Sequence, residues 1–152
     1  MVSPEITVRL ATAEDAEVAI ELVGRLLVEL GGVAPAHDAV RPTYDRLVGS
    51  TGTGFVVLGS VDGSTAAVCT VSYLEALRTE GPYAIVQEMY VEPDARSSGV
   101  GAELLRFVLD EARSTGCDTV ELGTPMDGDR QVQFYERLGF RRVGERLRWT
   151  AP

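Results

Sequence analysis

The sequence predicts a single α/β domain over residues 1–152, with a mixed, mostly antiparallel sheet carrying helices on both faces. Three observations carry this. Two apolar runs, "GFVVLGSV" and "STAAVCTVSYL", meet at Asp62-Gly63, a dipeptide suited to a tight hairpin turn. Around residues 19–30 and 100–112 the apolar positions recur at three- and four-residue steps, the spacing of a helix with one buried face. From residue 84 onward strand-like and helix-like stretches alternate, which demands crossover connections rather than hairpins alone.

Each element has its own signal. "EITVRLA" reads as a first strand, and Thr12-x-x-Asp15 is a capping-box variant that opens a helix through Ala19, Leu22, Val23, Leu26, Leu27 and Leu30. Gly31-Gly32 ends that run. "GGVAPAHD" reads as a loop, and "AVRPTYDRLV" as a short second helix whose start is limited by Pro42. After the hairpin, "RTEGPY" is a connection and "AIVQEMYVEP" a third strand of the group. The next helix passes through Val100, Leu104, Leu105, Val108, Leu109 and Ala112 and stops at Gly116. "CDTVELGT" then reads as a strand, "DRQVQFYERL" as a helix and "RRVGERLRWT" as a final strand. Repeats, linkers and low-complexity stretches are absent.

Composition narrows the function. At 152 residues the chain can bury a real core, and its 45% apolar share is ordinary for a globular protein. The net charge is −9, and all 14 basic residues are arginine. Such a surface opposes phosphate-backbone binding, so nucleic acid is not expected as a partner; a cationic acceptor would suit it better. A membrane is not expected either, because no apolar run approaches the roughly 18 residues a span needs. "MVSPEITVRL" lacks the basic start and apolar middle of a secretory signal, which points to the cytoplasm. Cys69 and Cys117 are too few for a disulfide framework, and His37 is the only histidine, so no metal site is expected.

The informative stretch is "PDARSSGVGAELL", residues 93–105. Glycine is costly inside a helix, yet Gly99 and Gly101 stand where one begins. A helix start offers unpaired N–H groups and the positive end of the macrodipole, and bare backbone lets an anion reach them. Arg96-x-x-Gly99-x-Gly101 after a strand therefore forms a diphosphate cradle, to which Arg96, Ser97 and Ser98 would add side-chain donors. A Walker loop is excluded because it needs a lysine, and a Rossmann fingerprint lacks its third glycine here. The bland alternative is a plain strand-to-helix turn.

A second motif, "FYERLGF" at residues 134–140, follows one strand later. Together with "EMYVEPDARSSGVGAELL" it resembles the GNAT superfamily of acyl-CoA-dependent N-acetyltransferases. Arg96, Gly99 and Gly101 fit that family's Arg/Gln-x-x-Gly-x-Gly/Ala signature, and Tyr135 with Leu138-Gly139-Phe140 fits its Tyr-x-x-Leu-Gly-Phe signature. The order of strands and helices fits over nearly the whole chain. The resemblance implies acetyl-CoA as co-substrate, its pyrophosphate on the loop Arg96, Ser97, Ser98, Gly99, Val100, Gly101 and Ala102. The pantetheine arm would run along Met89, Tyr90 and Val91 like an added strand. Gly128 departs from the pattern, since many members carry asparagine seven positions before the tyrosine. Homodimers are common in the family, although no stretch here declares an interface.

Acetyl transfer to an amine needs a neutral nitrogen, a polarised thioester carbonyl and a proton for the leaving thiolate. The resemblance assigns the proton to Tyr135, whose phenol stays protonated at neutral pH; otherwise an aromatic on such a helix simply packs. Glu88, in "VQEMYV", is the leading base, because strand alternation places Val86, Glu88 and Tyr90 on one face and burial there would raise a carboxyl pKa. An ordinary solvated strand carboxylate is the alternative. His37, expected in a loop, is a second candidate base. A backbone amide at Met89 or Tyr90 would polarise the carbonyl. Glu75, Glu80 and Asp127 could line an acceptor pocket. The leading expectation is an N-acetyltransferase acting on a primary amine of a small molecule. Acetylation of a protein N-terminus or lysine, and a non-catalytic acyl-CoA sensor, are the alternatives.

Overall fold

The computed structural model describes residues 2–125 and 128–152. It divides into two compact units, Met1–Glu121 and Leu122–Pro152, described in turn.

The first unit opens with strand β1 (Ile6–Leu10), a single 3-10 turn at Ala13–Asp15, and helix α1 (Ala16–Glu29). Thr12 begins this stretch as its spacing predicts: its N–H donates to the Asp15 carboxylate at 2.8 Å. The same carboxylate takes both nitrogens of Arg9 at 2.8 Å each. Helix α2 (His37–Gly49) starts earlier than expected, with Pro42 inside it, so His37 is the first residue of a helix rather than part of a loop. The Tyr44 hydroxyl donates to the Thr12 carbonyl at 2.6 Å, tying α2 to the entry of α1. Burial there pushes the Tyr44 phenol up to about 12.

Strands β2 (Gly54–Val61), β3 (Ser64–Ala76) and β4 (Gly81–Val91) form an antiparallel meander, and with β1 and β5 (Val120–Leu122) they make a five-stranded sheet in sequence order. Both faces of β2 and β3 are covered, which is why they read as continuous apolar runs rather than as alternating ones. On one face Val56, Leu58, Val68 and Tyr90 pack with Ala16, Ala19 and Leu22 of α1 and Tyr44 of α2. The other face receives helix α3 (Val100–Ser114), whose Val100, Leu104, Leu105 and Val108 are fully buried. Gly59 allows that contact, because a Cβ there would sit 2.8 Å from the Val100 side chain. Cys69 and Cys117 are free and buried, and burial raises both thiols.

The β3–β4 register holds the feature that matters most. Thr70 pairs with Glu88, but the next residue, Val71, pairs with Val86, leaving Gln87 as an extra residue in β4. Alternation through "VQEMYV" is therefore broken. Val86 shares a face with Val71 and points away from Glu88; Glu88 and Tyr90 share the α1–α2 face with Thr70 and Val68. This corrects the expectation that Val86, Glu88 and Tyr90 lie on one face.

The second unit contains helix α4 (Asp129–Arg137), as predicted, and a following segment without regular structure. The final strand expected at residues 141–150 does not form among the described residues. Its apolar positions alternate as a strand's should, yet Val143, Leu147 and Trp149 are 73%, 92% and 82% exposed. A strand needs a hydrogen-bonded neighbour, which alternation alone does not supply. Among the described residues no helix is long and apolar enough to cross a membrane.

Arg9, and to a smaller degree the Thr12 amide, hold the Asp15 carboxyl well below its ordinary value of 3.8. A carboxyl that ionises more readily folded than unfolded stabilises fully above its unfolded pKa, and that contribution fades as pH falls below it. Asp15→Asn should therefore cost about 1–2 kcal/mol at neutral pH. Urea unfolding of both proteins should show the difference closing once the pH drops below about 4.

Candidate functional site

Three parts of the predicted site lie on the first unit. The first is the turn after β4. Pro93–Ala95 forms a single 3-10 turn, Gly99 is the N-cap of α3, and α3 runs for 15 residues behind it. Gly99 has φ +94°, a left-handed conformation that a Cβ would strain, so this glycine is required by the backbone as well as by any anion. The first intrahelical bond runs from the Glu103 N–H to the Gly99 carbonyl at 3.2 Å. Among the described residues the amides of Gly99, Gly101 and Ala102 have no backbone partner. Those bare N–H groups, at the positive end of a long helix, fit a diphosphate.

The side chains of the turn behave differently from the expectation. The Ser98 hydroxyl donates to the Ala95 carbonyl at 2.6 Å and accepts the Val100 N–H at 3.2 Å, so it shapes the turn from within. Arg96 reaches back along β4. Its Nε donates to the Val91 carbonyl at 2.9 Å, its Nη2 to Glu29 of α1 at 2.6 Å, and its guanidinium lies 5.6 Å from the centre of the Tyr90 ring. Arg25 makes a parallel tie to Glu92. Two ion pairs thus fasten the end of β4 to α1. Ser97 is exposed.

The second part is the strand edge. Met89, Tyr90 and Val91 pair with Cys69, Val68 and Ala67 of β3. The bond between the Ala84 N–H and the Thr119 carbonyl lies well before the extra residue Gln87. β5, three residues long, is the neighbour of β4 in the sheet.

The third part is Glu88. It is half-buried, and its carboxylate receives the Thr70 hydroxyl, while that hydroxyl accepts the Glu88 N–H at 3.1 Å. Thr70 is the buried polar side chain of the core, and it fixes the carboxylate toward α2. Glu88 lines a cavity of about 300 Å³ with Thr43 and Arg46 of α2, Thr53, Thr70 and Ser72. His37 lies elsewhere, in a larger hollow of about 630 Å³ along α1 with Glu17, Glu21 and Arg25. The two candidate bases therefore belong to different cavities. Glu75 and Glu80 are exposed and line neither; Asp127 lies outside the described residues. Thr70 and Glu29 escaped the sequence reading because each acts through a partner distant in the chain, and Arg46 because it lines a cavity between elements.

Tyr135 stands on α4 in the second unit, with its ring edge-on to Phe134 at 5.2 Å and to Phe140 at 5.8 Å between centroids. "FYERLGF" thus forms a local aromatic cluster, with Gly139 reversing the chain at φ +97°. At Gly128, the N-cap of α4, a Cβ would meet the Pro125 carbonyl oxygen at 3.0 Å, so an asparagine at this position would have little room.

A helix start whose glycines leave backbone amides bare, at the end of β4, marks an α/β domain with room for an anion at that turn. The comparisons name the class. Residues 20–140 match the acetyltransferase (GNAT) family, a span that runs through both units, and the chain belongs to that family. It is 37% identical over 65 residues to an IAA acetyltransferase of Azospirillum brasilense, covering 43% of this chain and 42% of that protein. It is 28% identical over 90 residues to a glucosamine 6-phosphate N-acetyltransferase of Trypanosoma brucei brucei, covering 59% and 57%. The matched stretch is thus less than two thirds of either relative. Among solved structures, a predicted acetyltransferase with acetyl-CoA from Clostridium acetobutylicum superposes with TM-score 0.79 at 16% identity, over 96% of both chains. An aminoglycoside N-acetyltransferase in complex with CoA gives TM-score 0.81 at 15% identity, over 99% of this chain and 97% of that one. The fold is that of these proteins.

If the turn is built around bare backbone, Gly99→Ala should cost about 1–2 kcal/mol from the left-handed strain alone. Thermal unfolding with and without CoA would check it: the stabilisation that CoA gives the wild type should shrink in the variant.

Proposed function

We propose that this protein transfers the acetyl group of acetyl-CoA to a primary amine of a small molecule by direct attack on the thioester. The observation that carries the proposal is the set of partnerless amides at Gly99, Gly101 and Ala102, at the end of the strand that also presents Glu88 to a cavity. Acetyl-CoA supplies an activated acyl group. Its diphosphate would rest on those amides, with Val100 buried behind them as the anchor of α3. Its pantetheine arm would pair along Met89, Tyr90 and Val91. Val91 would contribute through its N–H, because its carbonyl is already used by Arg96. Arg96 supports the turn from β4 in this reading rather than reaching across it.

The amine enters from the α2 side. Glu88, held by Thr70, takes the proton that the nitrogen sheds, directly or through one water. The nitrogen lone pair forms the new C–N bond, the C–S bond breaks, and its electron pair leaves on sulfur. A backbone N–H at Met89 or Tyr90 polarises the carbonyl. Tyr135 returns a proton to the thiolate; its assignment rests on its place in the Tyr-x-x-Leu-Gly-Phe motif. Glucosamine 6-phosphate, the acceptor named for one relative, is a small primary amine, which supports that class of acceptor here. Cys69 and Cys117, free and buried, are in keeping with the reducing cytoplasm as the place of action.

Thiol release from acetyl-CoA across a panel of small amines and peptides tests this. Amine-dependent turnover should appear, with Glu88→Gln lowering kcat by about 10²-fold or more. Tyr135→Phe should fall by a similar factor and recover with acyl donors whose thiols are more acidic. Turnover of peptides alone would move the acceptor class to proteins. CoA binding without turnover of any amine would favour a sensor module instead.

A further inference from the structure

The cavity that holds Glu88 also holds a charge of the opposite sign. Arg46 stands in the last turn of α2 and lines that cavity together with Thr43, Thr53 and Ser72. Its Nη2 donates to the Thr43 hydroxyl at 3.1 Å, which orients the guanidinium along the helix face. It has no carboxylate partner among the described residues. Among the described arginines of the first unit Arg113 of α3 shares this lack, although acidic residues outnumber basic ones by 23 to 14. Within the first unit Arg9, Arg25, Arg41, Arg78, Arg96 and Arg106 each hold a carboxylate. Arg46 makes no ion pair with Glu88 although both line the same cavity, and the Glu88 carboxylate holds the Thr70 hydroxyl.

A helix C-terminus favours a cation, which accounts for an arginine in the last turn. Arg46 is exposed, and its place in the hollow that Glu88, Thr43, Thr53 and Ser72 also line leaves its guanidinium open to a ligand. A planar guanidinium with free N–H groups, beside three hydroxyls, matches the oxygens of a carboxylate or phosphate. In the same cavity, Glu88 suits an amine. About 300 Å³ is the size of cavity that holds one small molecule.

We infer that Arg46 selects the acceptor: the substrate is a small primary amine that also carries an anionic group, with the amine toward Glu88 and the carboxylate or phosphate on Arg46. This rests on the transferase reading above and narrows its substrate class.

Matched acceptors test it: lysine against lysinamide for the carboxylate, and glucosamine 6-phosphate against glucosamine for the phosphate. The wild type should prefer the anionic member of at least one pair by about tenfold or more in kcat/KM. Arg46→Ala should lower that preference by about tenfold, chiefly through KM for the acceptor, and Arg46→Lys should restore part of it. Arg113→Ala, which removes an α3 arginine that lines neither cavity, should leave the preference as it was. An equal preference in wild type and Arg46→Ala, or turnover of neutral amines only, would overturn the inference while leaving the transferase reading intact. If no acceptor turns over, calorimetry with glucosamine 6-phosphate and lysine in the presence of CoA decides separately. Binding that Arg46→Ala abolishes supports the anion subsite although the transferase reading fails; absence of binding to the wild type overturns it.

Discussion

One extra residue in β4 governs the arrangement of the first unit. Gln87 interrupts the β3–β4 ladder between Val86 and Glu88, and every side chain beyond it changes face relative to those before. Val86 serves the core under α3. Glu88 and Tyr90 are turned toward α1 and α2, where a carboxylate can reach a cavity and a phenyl ring can cover Leu58 and Val68. Without the insertion a charged side chain at 88 would be driven into the layer packed by α3, at a desolvation cost no ion pair there offsets. A single irregularity therefore aims Glu88 at the cavity.

The rest of the site is fixed by charge held at a distance from the anion it serves. Arg96 and Arg25 spend their charge on Glu29 and Glu92, fastening the strand end to α1. In the proposed function this would leave recognition of a diphosphate to backbone amides and the dipole of α3, which need no side-chain ordering. An exposed ion pair contributes little stability alone, about 0–1 kcal/mol. Two of them across the same junction, with the Arg96 guanidinium against Tyr90 and the Val91 carbonyl, restrict where the turn can go. In a chain of net charge −9, confining positive charge in this way leaves Arg46 as the cation facing the Glu88 cavity.

Much of this was legible in the sequence wherever the signal is local. The hairpin at Asp62-Gly63, the helical spacing through Leu104, Leu105 and Val108, and the glycines at the start of α3 depend on neighbours a few residues away, and all stand where the pattern places them. The bulge was not legible. Alternation assumes one residue per pleat, and nothing in "VQEMYV" marks Gln87 as surplus. Thr70 and Arg46 were missed for a related reason: each matters through a partner 18 or more positions away, or through a cavity between elements. The sequence places His37 in a loop because Pro42 limits where a helix can start, whereas α2 accommodates that proline inside it. The alternation at residues 141–150 is real, but it describes a side-chain pattern and not the hydrogen-bonded neighbour that a strand requires.

The central claim is that the N-terminus of α3 holds a diphosphate through bare amides. The most direct test is to follow backbone amide resonances while CoA is added to the wild-type protein. The account predicts that Gly99, Gly101 and Ala102 shift most, moving in the direction of stronger hydrogen bonding, and that CoA lacking its diphosphate leaves them in place. CoA that binds while those three amides stay still would contradict it.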